Sequence, residues 1–68
     1  METAKIIEIL TNYHNQNLIL SFTYSPIDKR FTIIYELVTG SKYMDTYEYN
    51  EKFNNYIYMN TQKLNTRR

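Results

Sequence analysis

Sixty-eight residues with a formal charge of +1 make one small domain. With no cysteine, the chain has no disulfide framework, no thiolate metal site and no cysteine nucleophile. No run approaches the roughly 18 consecutive apolar residues of a membrane-spanning helix. The start, Met-Glu-Thr-Ala-Lys-Ile-Ile-Glu, lacks the basic opening and apolar run of a secretion signal, so a cytoplasmic location is expected. Apolar residues including tyrosine are 43% of the chain, enough for a folded domain, but eight of them are tyrosines that keep a polar tip. The core is therefore thin, and packing, self-association or a partner must supply the remaining stability.

Residues 3–14 predict an amphipathic helix. Ile6, Ile7, Leu10, Tyr13 and His14 recur at spacings of three and four, and Asn12, Asn15, Gln16 and Asn17 form a polar stop. Glu2 suits the positive end of the helix dipole. Residues 18–24 alternate as a half-buried strand, with Leu18, Leu20, Phe22 and Tyr24 on one side and Ile19, Ser21 and Thr23 on the other. Ser25 to Lys29 carries the only proline, Pro26, and reads as a turn. Residues 30–38 alternate again, Phe31, Ile33, Tyr35 and Leu37 sharing a face, so the two runs form a β-hairpin. A second turn follows at Thr39 to Lys42, where Gly40 is free to take a positive φ.

Beyond Gly40 the pattern forks. As strands, residues 43–49 put Tyr43, Asp45, Tyr47 and Tyr49 on one face. Residues 53–60 put Phe53, Asn55, Ile57 and Met59 on one face and Asn54, Tyr56, Tyr58 and Asn60 on the other. As a helix over about 46–63, the stripe is Tyr49, Phe53, Tyr56, Ile57 and Leu64, supported by a Glu48–Lys52 pair. Tyrosine and phenylalanine favour strands, which decides 43–49 and leaves 53–60 open. The expected fold is α+β. One N-terminal helix packs on a three- to four-stranded antiparallel meander in a single domain over 1–62, with a basic, frayed tail over 63–68.

Chemistry-bearing motifs are scarce. His14 is the only histidine and its sequence neighbours are amides, so it reads as a helix-end residue rather than a catalytic one. Asp45, Glu48 and Glu51 could share a face in a helix, but in a strand Asp45 and Glu48 face opposite ways, and they read as acids scattered on a solvated surface; no phosphate-binding or nucleophile-elbow motif occurs. No metal, cofactor or catalytic residue is expected, nor an enzyme.

The distinguishing feature is tyrosine, with five of the eight lying between residues 43 and 58. Tyrosine offers a large, rigid contact area and a hydrogen-bonding tip. Tyr43, Tyr47, Tyr49, Tyr56 and Tyr58 are the candidate protein-binding residues. One helix cannot cover both faces of a sheet, so Ile19, Ile34, Val38, Tyr56 and Tyr58 are expected on an uncovered face. The expected partner is a larger protein, together with a second copy of the chain in a homodimer; no membrane partner is expected. A competing reading is nucleic-acid binding by the aromatics and the basic residues Lys63, Arg67 and Arg68. The charge layout opposes it, since residues 1–62 carry a net −2 and only the tail is positive. A third reading is an oligomer that binds a small ligand between subunits. Asparagine and isoleucine each occur eight times, alanine and valine once each. In composition alone this resembles small accessory proteins of phages and mobile elements in low-GC bacteria, which would imply an inhibitor that blocks a host protein.

Overall fold

The computed structural model describes residues 2–64. A helix, α1 (Glu2–Gln16), is followed by four strands: β1 (Leu18–Ser25), β2 (Arg30–Glu36), β3 (Lys42–Asn50) and β4 (Asn55–Leu64). The strands form one antiparallel sheet in the order β1-β2-β3-β4, an uncrossed meander with α1 packed on one side. Among the described residues, no helix is long and apolar enough to cross a membrane.

Local chemistry explains each connection. The β1–β2 and β3–β4 hairpins are closed by four-residue loops between the pairs Ser25↔Arg30 and Asn50↔Asn55. Each loop ends on a residue with a left-handed backbone, Lys29 at φ 52° and Asn54 at φ 54°. Side chains brace both turns: the Ser25 hydroxyl donates to Asp28 at 3.2 Å, and the Phe53 amide donates to Asn50 Oδ1 at 3.2 Å. The β2–β3 turn uses Gly40 at φ 94° and closes through Leu37 N–H to Ser41 O at 2.9 Å.

Of residues 53–60, which the pattern leaves open between helix and strand, Phe53 and Asn54 lie in the β3–β4 turn and 55–60 are strand, part of β4. An i,i+4 Glu–Lys pair on a helix is worth only about 0.2–0.5 kcal/mol. Pairing with β3, by contrast, satisfies the backbone continuously from Asn50↔Asn55 to Lys42↔Leu64 and buries Tyr56. Lys63 and Leu64 belong to β4, and the expected fraying of residues 65–68, with Arg67 and Arg68, lies outside the described residues.

The faces follow period-two alternation except at two bulges. Phe31, Ile33 and Tyr35 of β2 and Tyr43, Asp45, Tyr47 and Tyr49 of β3 share the helix side, as their spacing predicts. In β1 the register shifts between Ile19 and Ser21. Leu20 is the extra residue, so Ile19, rather than Leu18 or Leu20, joins Phe22 and Tyr24 on the helix side. In β4 the shift lies opposite Thr46 and Tyr47 and makes Met59 the extra residue. Tyr56 and Tyr58 therefore share the helix side with Thr61, while Asn60 turns away. The buried core is small: Ile6, Phe31, Ile33 and Tyr56, flanked by Ile9, Leu10, Tyr13, Ile19, Tyr35, Tyr47 and Tyr49.

Candidate functional site

Two features of the sheet are chemically unusual. The first is Asp45, a carboxylate only 4% exposed at the centre of β3. A buried carboxylate needs a cation or several donors. Among the described residues it forms no ion pair. Hydroxyls surround it instead. Tyr13 of α1 donates to its Oδ2, while Tyr35 of β2 at 3.1 Å and Thr61 of β4 at 2.7 Å donate to its Oδ1.

A carboxylate can only accept, so each of these groups spends its proton on Asp45 and has its own oxygen free to accept from the next hydroxyl. Tyr47 accordingly donates to Tyr13 at 2.8 Å and Tyr58 to Thr61. Five hydroxyls from α1 and all three strands β2, β3 and β4 thus converge on one carboxylate. Burial, with the Asp45 charge alongside, pushes the Tyr13 phenol far above its ordinary range and Tyr35 up to about 12; burial also raises Tyr47. These phenols are held neutral and are poor nucleophiles and poor bases. The cluster is a clasp that orients α1 on the sheet.

The candidate tyrosines divide accordingly. Tyr56 is core, its ring tilted against Phe31 and edge-on to Tyr49 at centroid distances of 5.1 and 5.3 Å. Tyr47 stacks on Phe31 at 4.9 Å and belongs to the clasp. Tyr49 is half-buried under the Lys29 ammonium, 5.2 Å above its ring, and donates to Asn54. Tyr43 is half-buried beside Tyr35 at 6.0 Å. Tyr58 alone of the five is well exposed, at 50%. The expected uncovered face is corrected on this point. Ile19, Tyr56 and Tyr58 lie on the side that α1 covers, Ile34 lies on the opposite side, and the fully exposed Val38 sits in the β2–β3 turn. The physical reason is that a phenol satisfies both demands of this interlayer, a ring for packing and a hydroxyl for Asp45.

The uncovered side is mostly polar. One rung across it reads Thr23, Thr32, Thr46 and Asn60, and the next Ser21, Ile34, Met44 and Gln62. Arg30 and Glu48 pair across strands there, with Arg30 Nε 3.1 Å from Glu48 Oε2. Lys63 stands on the helix side opposite Tyr43, away from this surface. Arg67 and Arg68, the other two residues of that candidate set, lie outside the described residues.

The second feature is the edge strand β1. Among the described residues no strand pairs with its outer edge along Leu18–Ser25, and the segment Leu-Ile-Leu-Ser-Phe-Thr-Tyr-Ser contains no charged residue. Leu18, Leu20, Phe22 and Tyr24 are 61, 43, 39 and 39% exposed. Natural edges are usually blunted by charges, proline or a covering element. Pro26 lies just beyond the strand, and the bulge at Leu20 leaves Ser21–Ser25 in regular register. The other edge, β4, is protected: Met59 bulges near its middle and Lys63 charges its end. Alternation alone disclosed the apolar residues of β1 but not that the strand lies at an edge. Its lack of charge gave no such signal, since natural edges usually carry one and residues 53–62 are equally uncharged.

Two shallow clefts complete the surface. One, of about 290 Å³, lies between α1 and the β3–β4 turn and is lined by Lys5, Glu8, Tyr49 and Asn54 among others. The other, between the end of α1 and the β2–β3 turn, includes His14, Leu18 and Val38. Neither gathers a catalytic constellation, and among the described residues no three acids or histidines cluster as a metal site. Comparison with protein families, with curated proteins and with solved structures finds no match to this chain.

Proposed function

We propose that this chain is a non-enzymatic interaction module that takes a polypeptide strand from its partner at the open edge of β1. The single observation that carries the reading is that uncharged edge, with four large apolar side chains beside it. Strand addition supplies affinity through main-chain hydrogen bonds and specificity through alternate side chains. Phe22 and Tyr24 supply the helix-side contacts, and Tyr58 is the one candidate tyrosine with enough free ring for a separate contact. A larger protein engaged in this way would have one strand, and the surface next to it, occluded.

The test compares three immobilised baits: the wild-type chain, Thr23→Lys and Asn60→Lys. Thr23 and Asn60 are both exposed on the polar side, one at each edge. Loss of protein capture by the Thr23→Lys bait alone supports the reading, as does protection of the residue 18–25 amides from exchange when the captured protein is bound. Equal capture by all three baits removes it.

A further inference from the structure

We propose that the polypeptide accepted at the β1 edge is a second copy of this chain, paired antiparallel through β1 about a two-fold axis at Thr23. The proposal rests on the edge reading above and names its occupant. A strand that pairs with its own copy must be complementary to itself, and a charge on the axis would meet its like. β1 has none to meet.

Its regular run, Ser21–Ser25, is centred on Thr23. An axis there sets Thr23 against Thr23 of the partner subunit on the polar side. On the helix side it sets Phe22 against Tyr24 of the partner subunit, and Tyr24 against Phe22 of the partner subunit. Aromatic pairs and threonine pairs are among the favourable cross-strand neighbours of antiparallel sheets. Ser21 and Ser25 then face one another at the two ends. The product is one continuous eight-stranded sheet with both α1 helices on the same side. Only the protected β4 edges remain free.

Two further observations favour a copy over an unrelated strand. The four-residue core is small for a free-standing domain, and pairing covers Phe22 and Tyr24, which the monomer leaves partly wet. The edge also lacks any charge that would select a partner of opposite sign.

The experiment is sedimentation equilibrium on the full chain, from about 1 to 100 µM, where mass action should convert monomer to dimer. It uses wild type, Thr23→Lys, Thr23→Glu, an equimolar mixture of the two variants, and Asn60→Lys. At the proposed axis each single variant sets like charges opposite one another, whereas the mixture sets lysine against glutamate. The expected result is a dimer for wild type and Asn60→Lys, monomers for each Thr23 variant alone, and a restored dimer in the mixture. Circular dichroism of the variants verifies that each stays folded.

A monomer at every wild-type concentration overturns the second copy as occupant. In that case the edge reading is judged separately by whether Thr23→Lys loses its captured protein. A dimer that persists in both Thr23 variants overturns the proposal by locating the contact elsewhere. A mixture that stays monomeric overturns the axis at Thr23.

Discussion

Phe22, Ile33, Asp45 and Thr61 form one rung across the four strands, on one side of one sheet, in four different surroundings. At Asp45 a charge is enclosed and every neighbour is arranged to satisfy it. At Phe22, two strands away, an aromatic ring is left partly in water at an edge with which no described strand pairs. The rung from one to the other runs from a region that fixes the fold to a region that has stability to gain from something outside it. The contrast separates substitutions that should unfold the chain from those that should only isolate it.

The largest expected effect is at the apolar centre of the sheet. Phe31 is fully buried and touches Phe22, Tyr47 and Tyr56. Phe31→Ala should cost about 3–5 kcal/mol, comparable with everything a core of this size supplies. Loss of the cooperative thermal transition is the expected readout, and a retained transition within a few degrees of wild type would contradict this account of the core. Next comes Asp45→Ala, which strips three donors of their common acceptor. About 2–3 kcal/mol should be lost in a urea titration, because hydrogen bonds to a charged group exceed neutral ones. Tyr35→Phe removes one of those bonds and should cost about 1 kcal/mol.

The raised phenols predict a pH dependence of definite sign. A phenol whose folded pKa lies above its unfolded value of about 10 contributes stability that is complete below pH 10. Between 10 and the folded value the unfolded chain loses its proton first, so stability declines. For Tyr35 that window runs from about pH 10 to about 12. Tyr13 and Tyr47 shift in the same direction. Melting temperatures measured between pH 8 and pH 11 should be flat at first and then fall, and the fall should be shallower in Tyr35→Phe. A melting temperature that rises above pH 10 would overturn the neutral-phenol clasp.

The smallest effect on stability should accompany the largest effect on association. Thr23→Lys changes an exposed side chain on the polar side of an edge strand, and should shift monomer stability by less than about 0.5 kcal/mol. A shift above about 2 kcal/mol would mean that Thr23 does structural work within the monomer, and the contrast between clasp and edge would weaken.

Much of this architecture was legible in the residues. The helix over 3–14, the hairpin around Pro26, and the common face of Tyr43, Asp45, Tyr47 and Tyr49 all follow from periodicity, since 3.6 and 2 are the only repeats that place apolar groups on one side. The bulges were not legible. Leu20 and Met59 each interrupt an alternation that reads as unbroken, because an extra residue is accommodated by the neighbouring strand's register rather than by any local propensity. Asp45 was visible as an acid among tyrosines, yet its role was not, since Tyr13, Tyr35 and Thr61 come from three separate elements.

The sequence by itself determined that one helix would lie on an antiparallel meander with tyrosines in its second half, because side-chain period and turn chemistry are local properties. Only the tertiary structure decided which side of the sheet the helix would cover. That choice is a comparison of two whole surfaces. α1 covers the side where Phe31, Ile33 and Tyr56 could be buried and where hydroxyls could gather on a lone carboxylate. It leaves the threonine rungs to water, and the uncharged edge of β1 open to another strand.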